Sequence, residues 1–207
     1  DVLLREIHHR VKNNLQLVSS LLNFQGRRTK DPVAKDTLAD LSTRVDVVAD
    51  IHRALYDAGE TDSIEIVSYL ERLGERHLGP VALSFGVSFT VKAEGECILP
   101  IEKATSVALA ANELVLNSLQ HAFAANMAPS INLSLKANTR QLTIDYRDNG
   151  QGSLAHFNSS SAPNGFGRLL VAGLERQLNA LISGTTEGNG FHVRIDIPIK
   201  GNLVAET

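Results

Sequence analysis

The sequence predicts an α+β protein in which an all-helical first part precedes a layered domain of interspersed strands and helices. Three observations carry that expectation. Apolar residues return at helical spacing through the first 56 positions, a polar break follows at Asp57-Ala58-Gly59-Glu60-Thr61, and beyond it alternating runs interleave with helical ones.

Leu3, Leu4, Ile7, Val11, Leu15, Val18, Leu21 and Leu22 fall on one stripe and predict a helix over residues 3–25. Asp31-Pro32 reads as an N-cap followed by proline in the first turn, so a second helix runs from there to about Tyr56. Two long helices with a short connection make an antiparallel hairpin. A hairpin covers one face of each helix, so a second copy or another domain is expected to close its core. Asp62 and Glu65 form a cap-plus-N3 pair and predict a helix starting at Asp62 and ending near Gly79-Pro80. Residues 81–91 alternate and read as a strand hairpin folded near Gly86. Pro100 opens a long helix to about Ala125, and strands follow over 131–136 and 141–146 around the turn Asn138-Thr139-Arg140. A Gly/Ser/Asn/Pro-rich loop from Asn149 to Gly165 leads to a helix over 166–181 and strands over 181–185 and 191–199.

At 207 residues the chain makes one large domain or two small ones, and its 43% hydrophobic and 21% charged residues are ordinary globular usage. Twenty Lys and Arg against 23 Asp and Glu leave a net charge of −3, which lacks the basic excess that non-specific nucleic-acid binding requires. The single cysteine, Cys97, permits neither an intrachain disulfide nor a zinc ribbon. No apolar run approaches the roughly 20 residues of a membrane span, and no secretory signal opens the chain, so a cytoplasmic location is expected. Asp1 already lies inside a periodic helix, which reads as a piece of something longer.

Chemistry can be sought on the polar faces. On the first helix, His8 lies roughly 65° from the centre of the apolar stripe and His9 about 165° away, on the opposite face with Lys12, Asn13, Gln16 and Ser20. A neutral imidazole on an open helix face is a nucleophile that a separate domain can reach, although on spacing alone His9 is an ordinary exposed histidine. On the helix after Pro100, Glu113, Asn117, Gln120 and His121 share about 100° of the circumference. The remainder is Val107, Ala108, Ala111, Leu114, Val115, Leu119 and Ala122. A carboxylate and an amide one turn apart can hold a metal ion and a polarised water against phosphates. Asp148-Asn149-Gly150-Gln151-Gly152 directly follows a strand, where the aspartate can accept a hydrogen bond from an exocyclic amine. Gly165-Phe166-Gly167 precedes a helix whose free N–H groups suit phosphate. Each of these alone is common turn or surface chemistry.

Their conjunction, in this order, resembles the transmitter region of sensor histidine kinases. The box Glu6-Ile7-His8-His9-Arg10-Val11-Lys12-Asn13-Asn14-Leu15-Gln16 is similar to the second HisKA class, close to the HWE kinases, and the absence of Trp fits that class better than HWE proper. The resemblance covers nearly all of residues 1–200. It implies a dimerisation and phosphotransfer hairpin over 1–61, forming a four-helix bundle as a homodimer. A GHKL (Bergerat) ATP-binding α/β sandwich would follow over 62–201, with a tail over 202–207. It further implies that His9 is the phosphoacceptor, that Asn117 binds Mg²⁺ and that Glu113 sits beside the metal and its water. Asp148 would read the adenine amine, Gly150 and Gly152 would shape its pocket, Gly165 and Gly167 would flank the phosphates, and His121 would belong to the nucleotide-contacting stripe. The implied reaction is γ-phosphoryl transfer from Mg·ATP to an imidazole nitrogen, then to an aspartate of a response regulator.

Three positions depart from the family pattern. Gln120 stands where an N-A-x-K-H stretch has lysine, Arg168 follows the second glycine pair where an apolar residue is usual, and Gly190-Phe191 replaces Gly-Thr. Gln120 and Phe191 motivate a second reading, a phosphotransfer or docking protein that keeps the fold without using ATP. A GHKL ATPase or anti-sigma serine kinase is a third, and the His9 box argues against it.

Overall fold

In a computed structural model, residues 2–58, 63–123, 128–151, 173–187 and 190–199 are described. They divide into two compact units, one containing α1 (Val2–Arg28), α2 (Pro32–Ala58) and the first part of α5 (Ile101–His121), the other containing a five-stranded sheet and the rest of α5, from Glu113 on.

In the first unit, α1 and α2 form the expected hairpin. Asp31 caps α2, its Oδ1 accepting from Val33 N–H at 3.0 Å. The helix contact carries a polar rung: Ser19 and Ser42, both buried, lie 3.0 Å apart Oγ to Oγ, and Asn23 Nδ2 donates to Ser42 Oγ at 2.9 Å. Val47, Ala49 and Ile51 are buried on α2, whereas Leu17, Leu21 and Phe24 on α1 are more than half exposed. These three are spaced i, i+4, i+7 and make one apolar stripe along α1.

The second unit is built from α3 (Ile66–Leu73), a π-helical turn over Gly74–Leu78, α4 (Gly79–Ser84), β2 (Ser88–Glu94), β4 (Ser130–Ala137), β5 (Gln141–Asp148), a helical segment over 173–178, β6 (Leu181–Glu187) and β7 (Gly190–Pro198). Two short strands, β1 (Ser63–Glu65) and β3 (Ile98–Pro100), pair with each other. The large sheet has the order β2-β4-β5-β7-β6, with β2 and β4 parallel and the remaining pairs antiparallel. Alternation along β4, β5 and β7 sends Ile131, Leu133, Leu135, Leu142, Ile144, Tyr146, Val193, Ile195 and Ile197 into the core. The opposite face is polar and paired: His192 Nε2 lies 2.6 Å from Asp145 Oδ1, Arg194 Nε donates to Asp196 Oδ2 at 3.0 Å, and Thr143 Oγ1 donates to Asp196 Oδ1 at 2.7 Å. One covered face and one solvated face make this the α/β sandwich that the sequence predicts.

Two local expectations are corrected. Residues 81–84 are helical, not strand. Pro80 falls where the π-helical turn over Gly74–Leu78 passes directly into α4, and the helix ends in a Schellman motif at Gly86. Gly86 has φ +73°, its N–H donates to Leu83 O at 2.9 Å, and Val87 N–H donates to Ala82 O at 2.9 Å. The strand begins only at Ser88. Likewise Glu65 is not an N3 partner but itself the N-cap of α3, its Oε1 accepting from Val67 N–H at 3.1 Å and its Oε2 from Ser68 N–H at 2.7 Å. Oε1 also accepts from Cys97 N–H at 2.9 Å. Asp62 lies outside the described residues. Cys97 is buried, and that burial together with the Glu65 charge pushes its thiol up to about 11, so it is packing rather than a nucleophile.

Candidate functional site

The C-terminal part of α5 and the end of β5 are locked together by backbone. Gln151 N–H donates to Ala122 O at 2.7 Å, taking up a carbonyl that the end of the helix leaves open. Gly150 packs flat on the same residue: a Cβ there would lie 2.5 Å from Ala122 O and 2.6 Å from Ala122 Cβ. The glycine of the D-x-G turn is therefore required by close approach to the helix end. Asn149 anchors the turn from the other side, its Oδ1 accepting from Ser130 N–H and its Nδ2 donating to Ala128 O, both at 2.8 Å.

This frame holds Asp148, the last residue of β5, at 6% exposure. Its Oδ1 accepts from Gly150 N–H at 2.9 Å and its Oδ2 accepts from Ser118 Oγ at 2.6 Å. Ser118 in turn accepts from the Tyr146 hydroxyl at 2.6 Å. Burial, reinforced by the Asp148 charge, pushes the Tyr146 phenol well above its ordinary value despite its bond to Ser118, so it stays a donor. Phe191, nearly buried, is the cross-strand neighbour of Asp148 on β7.

The predicted polar stripe on α5 divides by burial. Glu113 is 4% exposed, whereas Asn117, Gln120 and His121 are exposed. The apolar remainder, Val107 to Ala122, is buried as expected. Glu113, Asn117, His121, Asp148 and Gly150 thus lie on one helix segment and the turn bonded to its end. His9 lies on α1, in the other unit, and its side chain is outside the described residues, as are Gly152, Gly165, Gly167 and Arg168. Sequence reasoning missed Ser118 and Tyr146. The available signal was a hydroxyl on the apolar arc of an amphipathic helix and a tyrosine two residues before Asp148, on the same strand face.

The donor set fits a nucleotide that brings its own metal. A carboxylate offers about four lone-pair positions, and each oxygen of Asp148 engages one described donor, so it retains capacity for an amine. Among the described residues no three His, Cys, Asp or Glu side chains group to hold a metal. Mg²⁺ usually takes one or two protein ligands plus phosphates, and Asn117 with the neighbouring Glu113 offers an amide and a carboxylate of that kind. Asn112, wholly buried with neither amide atom hydrogen-bonded among the described residues, is a further polar group beside Glu113 in sequence.

A helical hairpin bearing a histidine, followed by a one-sided mixed sheet with a buried aspartate at a strand end, is the arrangement that the resemblance to histidine kinases implies. Residues 6–79 match the HisKA_2 histidine kinase family. The sensor histidine kinase PdtaS of Mycolicibacterium smegmatis is 32% identical over 157 residues, 73% of this chain and 30% of the relative. Blue-light-activated histidine kinase 2 of Erythrobacter litoralis is 28% identical over 201 residues, 95% of this chain and 57% of the relative. The solved histidine kinase domain of the E. litoralis EL346 blue-light activated kinase superposes with a TM-score of 0.68 at 26% identity, covering 94% of this chain and 90% of that one. Residues 6–79 belong to the HisKA_2 histidine kinase family, and the chain as a whole is similar to histidine kinase cores. It spans about a third of the length of PdtaS and little more than half of the blue-light kinase. No described helix is long and apolar enough to cross a membrane.

Proposed function

We propose that this chain is the kinase core of a two-component sensor, which transfers the γ-phosphoryl group of ATP to His9 and from there to an aspartate of a response regulator. Residues 1–61 form the dimerisation and phosphotransfer hairpin, and residues 62–201 the nucleotide-binding domain. The observation that carries the reading is Asp148, a buried carboxylate held at a strand end by one backbone and one side-chain donor, with lone pairs left for an amine. Family membership and the HisKA_2 match across the His9 box support the assignment of His9.

In this reading Asp148 accepts from the adenine amine, while Gly150, with Gly152, shapes the pocket. Asn117 would hold Mg²⁺, with Glu113, one turn away on α5, beside the metal and its water; His121 contacts the nucleotide, and Gly165 and Gly167 let backbone N–H groups approach the phosphates. Mg²⁺, when bound, neutralises phosphate charge. The remaining work is positioning: a nitrogen of the His9 imidazole attacks the γ-phosphorus in line, the N–P bond forms as the P–O bond to ADP breaks, and ADP leaves. The exposed stripe Leu17, Leu21 and Phe24 supports a homodimer, because a second hairpin would cover it.

The test is labelling with γ-labelled Mg·ATP. Wild type gains acid-labile, base-stable label, His9→Gln gains none, and Asp148→Asn is at least tenfold slower at subsaturating ATP. Full labelling of His9→Gln would reject His9 as the acceptor.

A further inference from the structure

We propose that Ser118 is a positioning residue for base recognition: braced by Tyr146, it fixes the direction in which Asp148 presents its remaining lone pairs, and so sets the preference for a purine with an exocyclic amine over one without. This rests on the nucleotide-site reading and adds to it a residue outside the predicted polar stripe.

The argument is one of proton direction. A carboxylate only accepts, so the single proton of Ser118 must go to Asp148 Oδ2, at 2.6 Å. With that proton committed, Ser118 can meet Tyr146 only as an acceptor, and the tyrosine donates at 2.6 Å. All three side chains are buried: Tyr146 at 0%, Ser118 at 4% and Asp148 at 6% exposure. No rotor in this chain can turn without leaving a buried group unpaired. Gly150 N–H, held in place by the contact of its residue with Ala122, fixes the other oxygen. The carboxylate plane is thus clamped from two sides, and the free lone pairs point one way. Phe191, opposite Asp148 on β7, supplies no hydroxyl that could take over.

Replacing Ser118 by alanine leaves Oδ2 without its side-chain donor and frees the carboxylate to rotate about its last bond. A ligand that donates an amine to Asp148 should feel this, whereas one lacking the amine should not. The experiment measures dissociation constants, with Mg²⁺ present, for ATP and for purine riboside triphosphate, which differs only in lacking the amine. It uses wild type, Ser118→Ala, Tyr146→Phe and Asp148→Asn. Ser118→Ala is expected to weaken ATP about tenfold and the amine-free nucleotide hardly at all, and Tyr146→Phe to move the ratio the same way by about threefold. Equal weakening of both nucleotides by Ser118→Ala, or no weakening of either, overturns the inference while leaving Asp148 intact as base reader. An Asp148→Asn protein with the wild-type ratio removes that reading and this inference together. Should Ser118→Ala fail to fold, Tyr146→Phe decides alone, and an unchanged ratio in it overturns the proposal.

Discussion

In the α1–α2 hairpin, Leu17, Leu21, Phe24 and Val33 keep 52–72% of their surface exposed, whereas in the sheet unit Leu133, Leu135, Leu142, Ile144 and Ile195 keep 3% or less. Both regions have ordinary apolar content, so the difference lies in geometry. A sheet with a helical layer on one face can bury alternate residues within a single chain. A pair of helices has too little shared surface to do so. On the proposed reading the hairpin is half of an interface, whereas the strands close their core within the unit, and its own exposed apolar residues, Leu83, Phe85, Ile98 and Leu181, lie outside that core. The difference matches the chemistry assigned to each. A phosphoacceptor has to be reached by a nucleotide site and then by a second protein, which suits open rods. A carboxylate that must hold one orientation needs a dry, packed surround, and Asp148 has one.

That contrast can be broken most sharply at the hairpin. If the exposed α1 stripe is an interface, Leu17→Asp with Leu21→Asp acts twice across a twofold axis and should raise the dimer dissociation constant at least a hundredfold. Sedimentation equilibrium checks it, and a wild type that stays monomeric at high concentration contradicts it. The next effect is in the sheet unit, at Gly150. A Cβ there would lie 2.5 Å from the Ala122 carbonyl oxygen, which cannot swing aside, so Gly150→Ala should cost about 1–3 kcal/mol in denaturant unfolding and weaken ATP. A stability and affinity equal to wild type would mean that the turn does not sit on the helix end.

The smallest effect concerns Glu65. Burial alone would raise its pKa, but donation from the backbone of Cys97, with Ser68 and Val67, outweighs it, and the folded pKa falls below the ordinary 4.5. A depressed carboxylate contributes stability that is present above the unfolded value and lost as pH falls through the folded one. Glu65→Gln should therefore lower stability by about 1 kcal/mol at pH 7, with the gap to wild type closing below pH 4.5. A gap that persists undiminished at pH 2 would show that the charge is not what matters.

Much of this is legible in the sequence. The 3.6-residue period marked α1, α2 and α5; on α2 and α5 the stripe meets a core, whereas on α1 its members Val18 and Leu21 stay exposed. Alternation marked β4, β5 and β7. It misled at residues 81–91, where Val81, Leu83, Phe85 and Val87 alternate although residues through Ser84 are helical. There the decisive information was the φ +73° of Gly86, a local property that periodicity does not see. At the site, Glu113, Asn117, Asp148 and Gly150 stood out because their spacing is itself chemically informative. Ser118 and Tyr146 did not, since a lone hydroxyl on an apolar arc names no partner. Ser118 reaches Asp148 across 30 residues and Tyr146 across 28, and these bonds exist only once α5 lies beside β5. The pairing of Phe191 with Asp148 is likewise a matter of strand register.

The central claim is that the imidazole of His9 receives the phosphoryl group. The most direct measurement is tandem mass spectrometry of the protein after incubation with Mg·ATP, digested and fragmented under alkaline conditions that preserve phosphoramidate. The account predicts a single phosphoryl group on His9, which forms at least tenfold more slowly when Asp148→Asn protein is incubated at low ATP. A phosphoryl group assigned to His8, or to a serine or threonine with His9 unmodified, would contradict it.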